Sequence, residues 1–327
     1  MKTKDVALVL SSGGPRGFAY IGAIEELEAR GYSITSVAGS SIGSLVGGIY
    51  AAGKLPEFKE WLFSLNNFKL MRLLDFSINK RYVLKGMKVM EAIESVVPNV
   101  KIEDLRIPYV AVGTDLYTGE PVAFRKGKLF DAIRASISIP SLFMPSKNGW
   151  RTFVDGGLVS TFPLGYVQRN GHDILVGFDV NVTDTDIIEA FLKSAYRQRQ
   201  EAEKSKSEAR DVVRYVSGLK DISMLEKVKL IGSESQRMIK KALNSDKIKS
   251  PVSADDNYFS IITRSFAIAN HTIAKLETRL YPPDILVQMS FDSYGAIPDY
   301  AKGNEISEKG RMLMAEALDK YEKEHQA

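Results

Sequence analysis

The pentapeptide Gly39-Ser40-Ser41-Ile42-Gly43 constrains this chain more than any other stretch. It follows a short apolar segment, residues 34–38, and opens a second one, residues 45–52, which spells strand, sharp turn and helix. A strand that turns within two residues into a helix commits the chain to stacked α and β layers. Where that turn reads G-x-S-x-G, the central serine is forced into a strained backbone conformation with its hydroxyl raised above the sheet. Gly39 and Gly43 flank it because a Cβ at either place would crowd the neighbouring strand and helix. Ser41 also falls at a helix N-terminus, where unpaired N–H groups favour developing negative charge. This segment alone leaves two readings open: a serine nucleophile for acyl transfer, or a glycine-rich turn whose glycines only permit tight packing.

The rest of the chain extends the strand–helix alternation. Residues 6–10 form a continuous apolar run, expected of a strand buried on both faces. The loop Ser11-Ser12-Gly13-Gly14-Pro15-Arg16-Gly17 follows, then a helical pattern through Ile21, Ile24 and Leu27. Pro15 suits a first helical turn, where its missing N–H is not needed. Gly43, Gly47 and Gly48 put small residues on one helix face and let that helix approach a neighbour closely. Residues 57–76 read as one helix with Trp61, Leu62, Phe68, Met71, Leu73 and Leu74 on its apolar face, either an ordinary core helix or the wall of an apolar cleft. Residues 81–97 read as another helix. Strands are expected at 108–115, 119–124 (as a hairpin partner), 152–154, 173–178 and 285–289, and helices at 129–136, 257–281 and 306–321. This is the pattern of a mainly parallel, doubly wound core.

Between residues 187 and 249 the strand signals stop and charge changes. Lys193 to Lys249 contains fifteen Lys/Arg and eight Asp/Glu, a balance of +7, so the remainder of this +4 chain carries 4 − 7 = −3. The expected organisation is a catalytic core over residues 5–184, a basic helical insertion over 185–256 acting as lid, oligomer contact or partner surface, and a helix–strand–helix segment over 257–327 that returns to the core. With 44% hydrophobic residues a large core is affordable, and with no cysteine there is neither a disulfide nor a thiolate site. Three histidines, His172, His271 and His325, leave little for a histidine metal cluster, so no metal and no cofactor are expected. Residues 1–5 are short and polar, and no apolar run approaches the roughly 18 residues of a membrane span. A cytoplasmic protein is the expectation, with peripheral contact at an inner membrane surface and homo-oligomerisation left open and no nucleic-acid partner.

Three elements carry chemistry. Gly13 and Gly14 can aim successive backbone N–H groups at one point, an anion nest for an oxyanion or a phosphate, or they make only a tight turn. As a nucleotide site the loop is poor, since it lacks both a Gly-Lys-Ser/Thr ending and the G-x-G-x-x-G spacing. Ser41 is the second element. The third is Asp155 in Asp155-Gly156-Gly157: an isolated Asp-Gly is usually a turn, but this one follows the strand-like residues 152–154, which would set its carboxylate at the sheet edge that carries the other two.

Together these residues resemble the patatin-like phospholipase family. The resemblance rests on the glycine-rich loop Gly13 to Gly17, the elbow Gly39 to Gly43 and the pair Asp155-Gly156, with Gly113-Thr114-Asp115, Ala132-Ile133-Arg134-Ala135-Ser136 and Ile139-Pro140 as intermediate family segments. It covers roughly residues 5–181, and the strand near Ile285 is similar to the closing segment of bacterial members. Ser12 stands where glycine is common, which makes the loop slightly stiffer. The resemblance implies a three-layer α/β/α fold with a mainly parallel sheet. It also implies a Ser-Asp dyad, with Ser41 as nucleophile, Asp155 as general base, Gly13 and Gly14 as oxyanion donors, and Arg16, Gly17, Gly39, Gly43 and Gly156 in support. Arg16 either holds a lipid phosphate or braces the loop, and bracing is favoured. The implied substrate is a fatty-acyl ester of a phospholipid or related lipid. Two other readings compete: a non-catalytic regulator on the same scaffold, and an α/β-hydrolase triad of Ser41, Asp155 and His172, for which the elbow comes too early in the chain.

Overall fold

An apolar run such as Val6 to Leu10 needs cover on both faces of its sheet. In the computed structural model, which describes residues 4–73, 75, 84–183, 185–218, 223, 258–294 and 297–326, it has that cover. Val6, Leu8 and Leu10 of β1 (Asp5–Leu10) face one apolar cluster, and Ala7 and Val9 face another. The described residues fall in two compact units, one within Met1–Thr183 and Asn257–Ala327 and one within Asp184–Asp256.

In the first unit, β1 is followed by a 3-10 turn at Gly14–Phe18, α1 (Ala19–Ala29), β2 (Ser33–Ser40), α2 (Ile42–Ala51), α3 (Leu55–Phe63), α4 (Asn67–Leu73) and α5 (Met87–Glu94). Next come β3 (Tyr109–Asp115), β4 (Pro121–Phe124), α6 (Leu129–Ser136), β5 (Ser146–Asn148), β6 (Arg151–Asp155) and β7 (Ile174–Val182). The second unit contributes α7 (Thr185–Gly218), and the chain returns through α8 (Tyr258–Leu280), β8 (Ile285–Ser290) and α9 (Gly303–Gln326).

The eight strands form one sheet in the order β5-β6-β3-β2-β1-β7-β8, with β4 also on β3. The β3-β2-β1-β7-β8 run is parallel, and β4, β6 and β5 add an antiparallel flank. One face is covered by α1, α2 and α9, whose Ile21, Ile24, Leu27, Val46, Ile49, Met314 and Leu318 are buried in a single cluster. The other carries a smaller cluster of Phe162, Leu164, Leu175 and Ala274. The fold is thus helix, sheet, helix in layers. Burying a side chain such as Ile24 or Ile49 contributes about 1.5–3 kcal/mol.

The register on β3 decides the chemistry. Antiparallel β4 occupies one edge of β3 from Ala111 to Thr114. β2 and β6 therefore share the other edge: β2 pairs as far as Ser40 with Val112, and β6 takes over with Asp155 opposite Gly113. The two strands run toward each other, and their C-terminal ends meet tip to tip.

Two helices differ from the pattern read in the sequence. Residues 57–76 do not form one helix: α3 ends at Phe63 and α4 begins at Asn67. Local polar groups make the break. Ser64 Oγ donates to Trp61 O at 2.8 Å, and Lys69 N–H donates to Asn66 Oδ1 at 2.9 Å, as an N-cap does. Phe68 and Met71 are consequently exposed, while Leu74 and Phe76 lie outside the described residues. The helix expected over 81–97 is shorter, Met87–Glu94. Gly86 precedes it at φ 74, and the Asp75 carboxylate accepts the N–H groups of Gly86, Met87 and Lys88 at 2.7, 2.8 and 3.3 Å. A helix start fixed by a cap so far upstream leaves no local signature. In the second unit the helical expectation for residues 187–218 falls on α7, and the break expected at Ile231-Gly232 lies outside the described residues.

Candidate active site

The elbow follows from the packing of α2 on the sheet end. A Cβ on Gly43 would sit 2.3 Å from Leu10 O and 2.6 Å from Ser11 O, and one on Gly39 would sit 2.3 Å from Gly43 C. Only glycines let α2 start this close to β1 and β2. Ser41, between them, has φ 51 and ψ −123, a region costing a residue with a side chain about 1–3 kcal/mol.

That strain is held by its neighbours. Ser41 N–H donates to Ser136 Oγ at 2.9 Å, and Ser136 Oγ–H donates in turn to Val112 O at 2.5 Å. Ser41 O accepts the N–H of Ser44 and Leu45 and the hydroxyl of Ser44. With its own N–H engaged, Ser41 points only its hydroxyl at the site, and that hydroxyl donates to Asp155 Oδ2 at 2.5 Å.

Asp155 reaches this position because β6 ends against β2 and because residue 156 is glycine: a Cβ there would lie 2.1 Å from Val112 O and 2.6 Å from Ser40 Oγ. The other carboxylate oxygen, Oδ1, accepts Gly157 N–H at 2.7 Å. Burial raises the carboxyl to about 6, with the hydrogen bonds from Ser41 and Gly157 opposing the rise. A carboxylate in that range is still ionised near neutral pH and basic enough to take a hydroxyl proton, which an exposed aspartate is not.

The glycine loop lies at the C-terminal end of β1. Ser12 N–H is engaged with Thr161 O at 2.8 Å, whereas among the described residues the N–H groups of Gly13 and Gly14 have no protein partner. Gly14 adopts φ +57, and the Tyr300 hydroxyl lies 3.4 Å from where its Cβ would be. Arg16 is buried beneath the loop: its Nη1 donates to Phe291 O at 2.5 Å and Tyr294 O at 3.1 Å, and the guanidinium lies 4.0 Å from the Phe291 ring centre. Burial lowers it to about 10. Both of these hydrogen bonds go to backbone carbonyls of the segment that follows β8. A Cβ on Gly17 would collide with Ile42 at 2.3 Å, so this glycine lets the loop lie against the first residue of α2.

Among the described residues, neither His172 nor His271 is joined to the dyad. β7 runs parallel to β1, and His172 precedes it, at the opposite end of the sheet from Ser41 and Asp155. It is exposed, with its N–H on Asn170 Oδ1 at 2.9 Å. His271, on α8, reaches the C-terminal end of β7, where Nδ1 is 3.1 Å from Asn181 O. Among the described residues neither imidazole hydrogen-bonds to Ser41 or Asp155, and no cluster of three or more His, Asp or Glu is placed to hold a metal ion.

Sequence reasoning named Ser136 only as the end of a family segment, with no role, and missed Thr161 and Asn181. Asn181 Nδ2 donates to Ser12 O at 2.7 Å and to Ser11 Oγ at 3.1 Å, fixing the base of the glycine loop. A small polar residue closing α6 is the one local hint for Ser136, and nothing local marks the other two.

Comparisons with known proteins agree on one relationship. A family model described as Patatin-like phospholipase matches residues 8–167. An "Uncharacterized NTE family protein" of Mycobacterium tuberculosis is 31% identical over 97% of this chain and 92% of its own length, as is a namesake from Mycobacterium bovis. "Patatin-like phospholipase domain-containing protein 6" of Mus musculus is 30% identical over 56% of this chain, which corresponds to 14% of that protein.

Proposed function

The chain belongs to the patatin-like phospholipase family, and from that premise we propose that it is a serine lipid acyl hydrolase that cleaves fatty-acyl esters of phospholipids or related lipids through a Ser41–Asp155 dyad. One observation carries the reading: a serine in a strained elbow, its hydroxyl bonded at 2.5 Å to a buried aspartate; the backbone N–H groups of Gly13 and Gly14, without a partner among the described residues, supply the oxyanion donors in this reading.

The chemistry follows from that arrangement. Asp155 Oδ2 takes the hydroxyl proton as Ser41 Oγ bonds to the ester carbonyl carbon. The carbonyl oxygen becomes an oxyanion facing the Gly13 and Gly14 N–H groups, where each donor contributes about 3 kcal/mol to transition-state stability. Collapse breaks the ester C–O bond, and the departing alkoxide takes the proton from Asp155. A water then gives a proton to Asp155 and attacks the acyl-serine. The oxyanion forms a second time, Ser41 Oγ leaves and recovers the proton, and the free fatty acid is released. No histidine is required because burial has already moved Asp155 up to about 6. Arg16 serves by bracing the loop from below.

The test is product analysis. Purified protein is incubated with mixed vesicles of a diacyl phospholipid, its lysophospholipid and a triacylglycerol, and the released acids are quantified beside Ser41→Ala. The proposal requires fatty acid from at least one lipid with wild type and none above background with the variant. Equal release by both would remove Ser41 from the mechanism.

A further inference from the structure

Thr161 joins the two halves of the site. Its carbonyl accepts Ser12 N–H at 2.8 Å, which anchors the glycine loop. Its Oγ1 donates to Gly157 O at 2.8 Å, and Gly157 N–H in turn holds Asp155 Oδ1 at 2.7 Å. Thr161 therefore lies one hydrogen bond from the loop and two from the carboxylate. The segment around it, residues 159–163, is neither helix nor strand and has no ladder of its own to hold it in place.

A side chain more than a hundred residues further along fastens it. Glu277, on α8, accepts the Ser160 hydroxyl on Oε1 at 2.5 Å and Phe162 N–H on Oε2 at 2.7 Å. The carboxylate straddles Thr161. Below, the Phe162 ring is fully buried, lying where a Cβ on Gly177 would be only 2.5 Å away. Both partners of Glu277 donate, so both bonds are at full strength when the carboxylate is ionised and acts only as acceptor.

We propose that Glu277 is a positioning residue for the hydrolase: by clasping Ser160 and Phe162 it holds Thr161 where it sets the glycine loop and the Asp155 turn in mutual register. The inference rests on the hydrolase reading for what those two elements do. It goes beyond that reading in assigning a long-range hydrogen-bond clasp from α8 to the geometry of the dyad.

The clasp is sensitive to protonation. Burial pushes the Glu277 carboxyl up to about 7, and Asp179 acts in the same direction, while the bonds from Ser160 and Phe162 oppose it. The elements against this part of α8 are β7, the turn after β6 and the 3-10 turn Leu164–Tyr166. They bring Asp179 and Tyr166 as their titratable groups toward Glu277. On α8 itself, Lys275 and Arg279 are exposed, and among the described residues no cation forms an ion pair with Glu277. A proton on Glu277 replaces two charge-assisted bonds by two neutral ones, the carboxylic O–H donating to Ser160 Oγ and the carbonyl oxygen still accepting Phe162 N–H, each about half as strong.

The experiment compares wild type with Glu277→Gln on the soluble ester p-nitrophenyl butyrate from pH 5 to 9. It is paired with hydrogen exchange of the wild type at pH 6 and pH 8, corrected for intrinsic rates. Wild-type kcat should rise through two ionisations, near 6 from Asp155 and near 7 from Glu277. The variant should keep the first and lose the second, with kcat about three- to tenfold lower at pH 8 and KM nearly unchanged. A variant that keeps both ionisations and differs only in amplitude would show a merely structural residue and overturn the proposal. If the variant does not fold, exchange in the wild type decides: amides in 157–162 and at Ser12 should lose protection at pH 6 relative to α1 and α9, and equal protection at both pH values overturns the clasp. A wild type that hydrolyses no ester refutes the hydrolase reading instead, and the exchange result still decides the clasp.

Discussion

Replacing Asp155 by asparagine should abolish turnover and, at the same time, make the protein more stable, by an amount that grows with pH. The base is useful because its ionised form is disfavoured in the fold. Burial moves its carboxyl from the ordinary 3.8 to about 6. The sign follows from linkage: the folded state holds this proton more tightly than the unfolded chain does. Stability is therefore undiminished below the unfolded value near 3.8 and falls as pH rises, until the loss levels off above the folded value near 6. A shift of about two units at about 1.4 kcal/mol each gives a penalty of about 3 kcal/mol at pH 8, roughly half of it already present at pH 5. Asparagine has nearly the shape of the protonated acid and escapes the penalty. Urea unfolding of wild type and Asp155→Asn at pH 5 and pH 8 measures both numbers, and taking the difference between the two proteins cancels Glu277, which titrates in both. The expected gain is about 3 kcal/mol at pH 8 and about half that at pH 5. Over the same window the rate should move the opposite way, rising through pH 6 as the base ionises. A variant no more stable than wild type at pH 8, or equally stabilised at both pH values, would mean that Asp155 is not a desolvated carboxylate, and the argument for catalysis without histidine would fail with it.

Three further outcomes follow from the geometry. Ser136→Ala removes the hydroxyl that bridges Ser41 N–H and Val112 O, so the strained nucleophile loses its anchor. Steady-state kinetics should show kcat lower by about tenfold or more with little change in KM, since each buried bond of this kind is worth about 1–3 kcal/mol. Gly43→Ala would place a Cβ 2.3 Å from Leu10 O. Because the obstacle is backbone, thermal unfolding should show a loss of more than about 3 kcal/mol or no folded protein at all. His172→Ala, at the far end of the sheet, should leave esterase activity at the wild-type level across the pH range; a large loss would revive a histidine-based triad.

The mainly parallel layered core was legible in the sequence because its signals are local: apolar runs at residues 6–10 and 174–178, glycine-rich turns after the first two strands, and helical periods between them. The glycine loop, Ser41 and Asp155 stand out for the same reason, since each sits in a short pattern with its own stereochemical rationale. What brings them together is not local. The meeting of β2 and β6 on one edge of β3 depends on register, and a strand of five residues does not reveal which partner it will pair with or how far along. Ser136, Asn181 and Glu277 reach the site through hydrogen bonds that span 95 to 170 residues of sequence, and they leave no periodic trace. The helices over 57–76 and 81–97 were overextended because apolar spacing continues through breaks that Ser64, Asn66 and the distant Asp75 impose with side-chain hydrogen bonds.

The central claim is that Ser41 is a nucleophile activated by Asp155 alone, and covalent trapping tests it most directly. Wild type, Ser41→Ala and Asp155→Asn are exposed to an alkyl fluorophosphonate at pH 8, and the adduct is located by intact mass and peptide mapping. The account predicts one adduct per chain on Ser41 in the wild type, none in Ser41→Ala, and labelling of Asp155→Asn slowed by about a hundredfold to ten-thousandfold. An adduct on another residue, or Asp155→Asn labelled as fast as wild type, would contradict it.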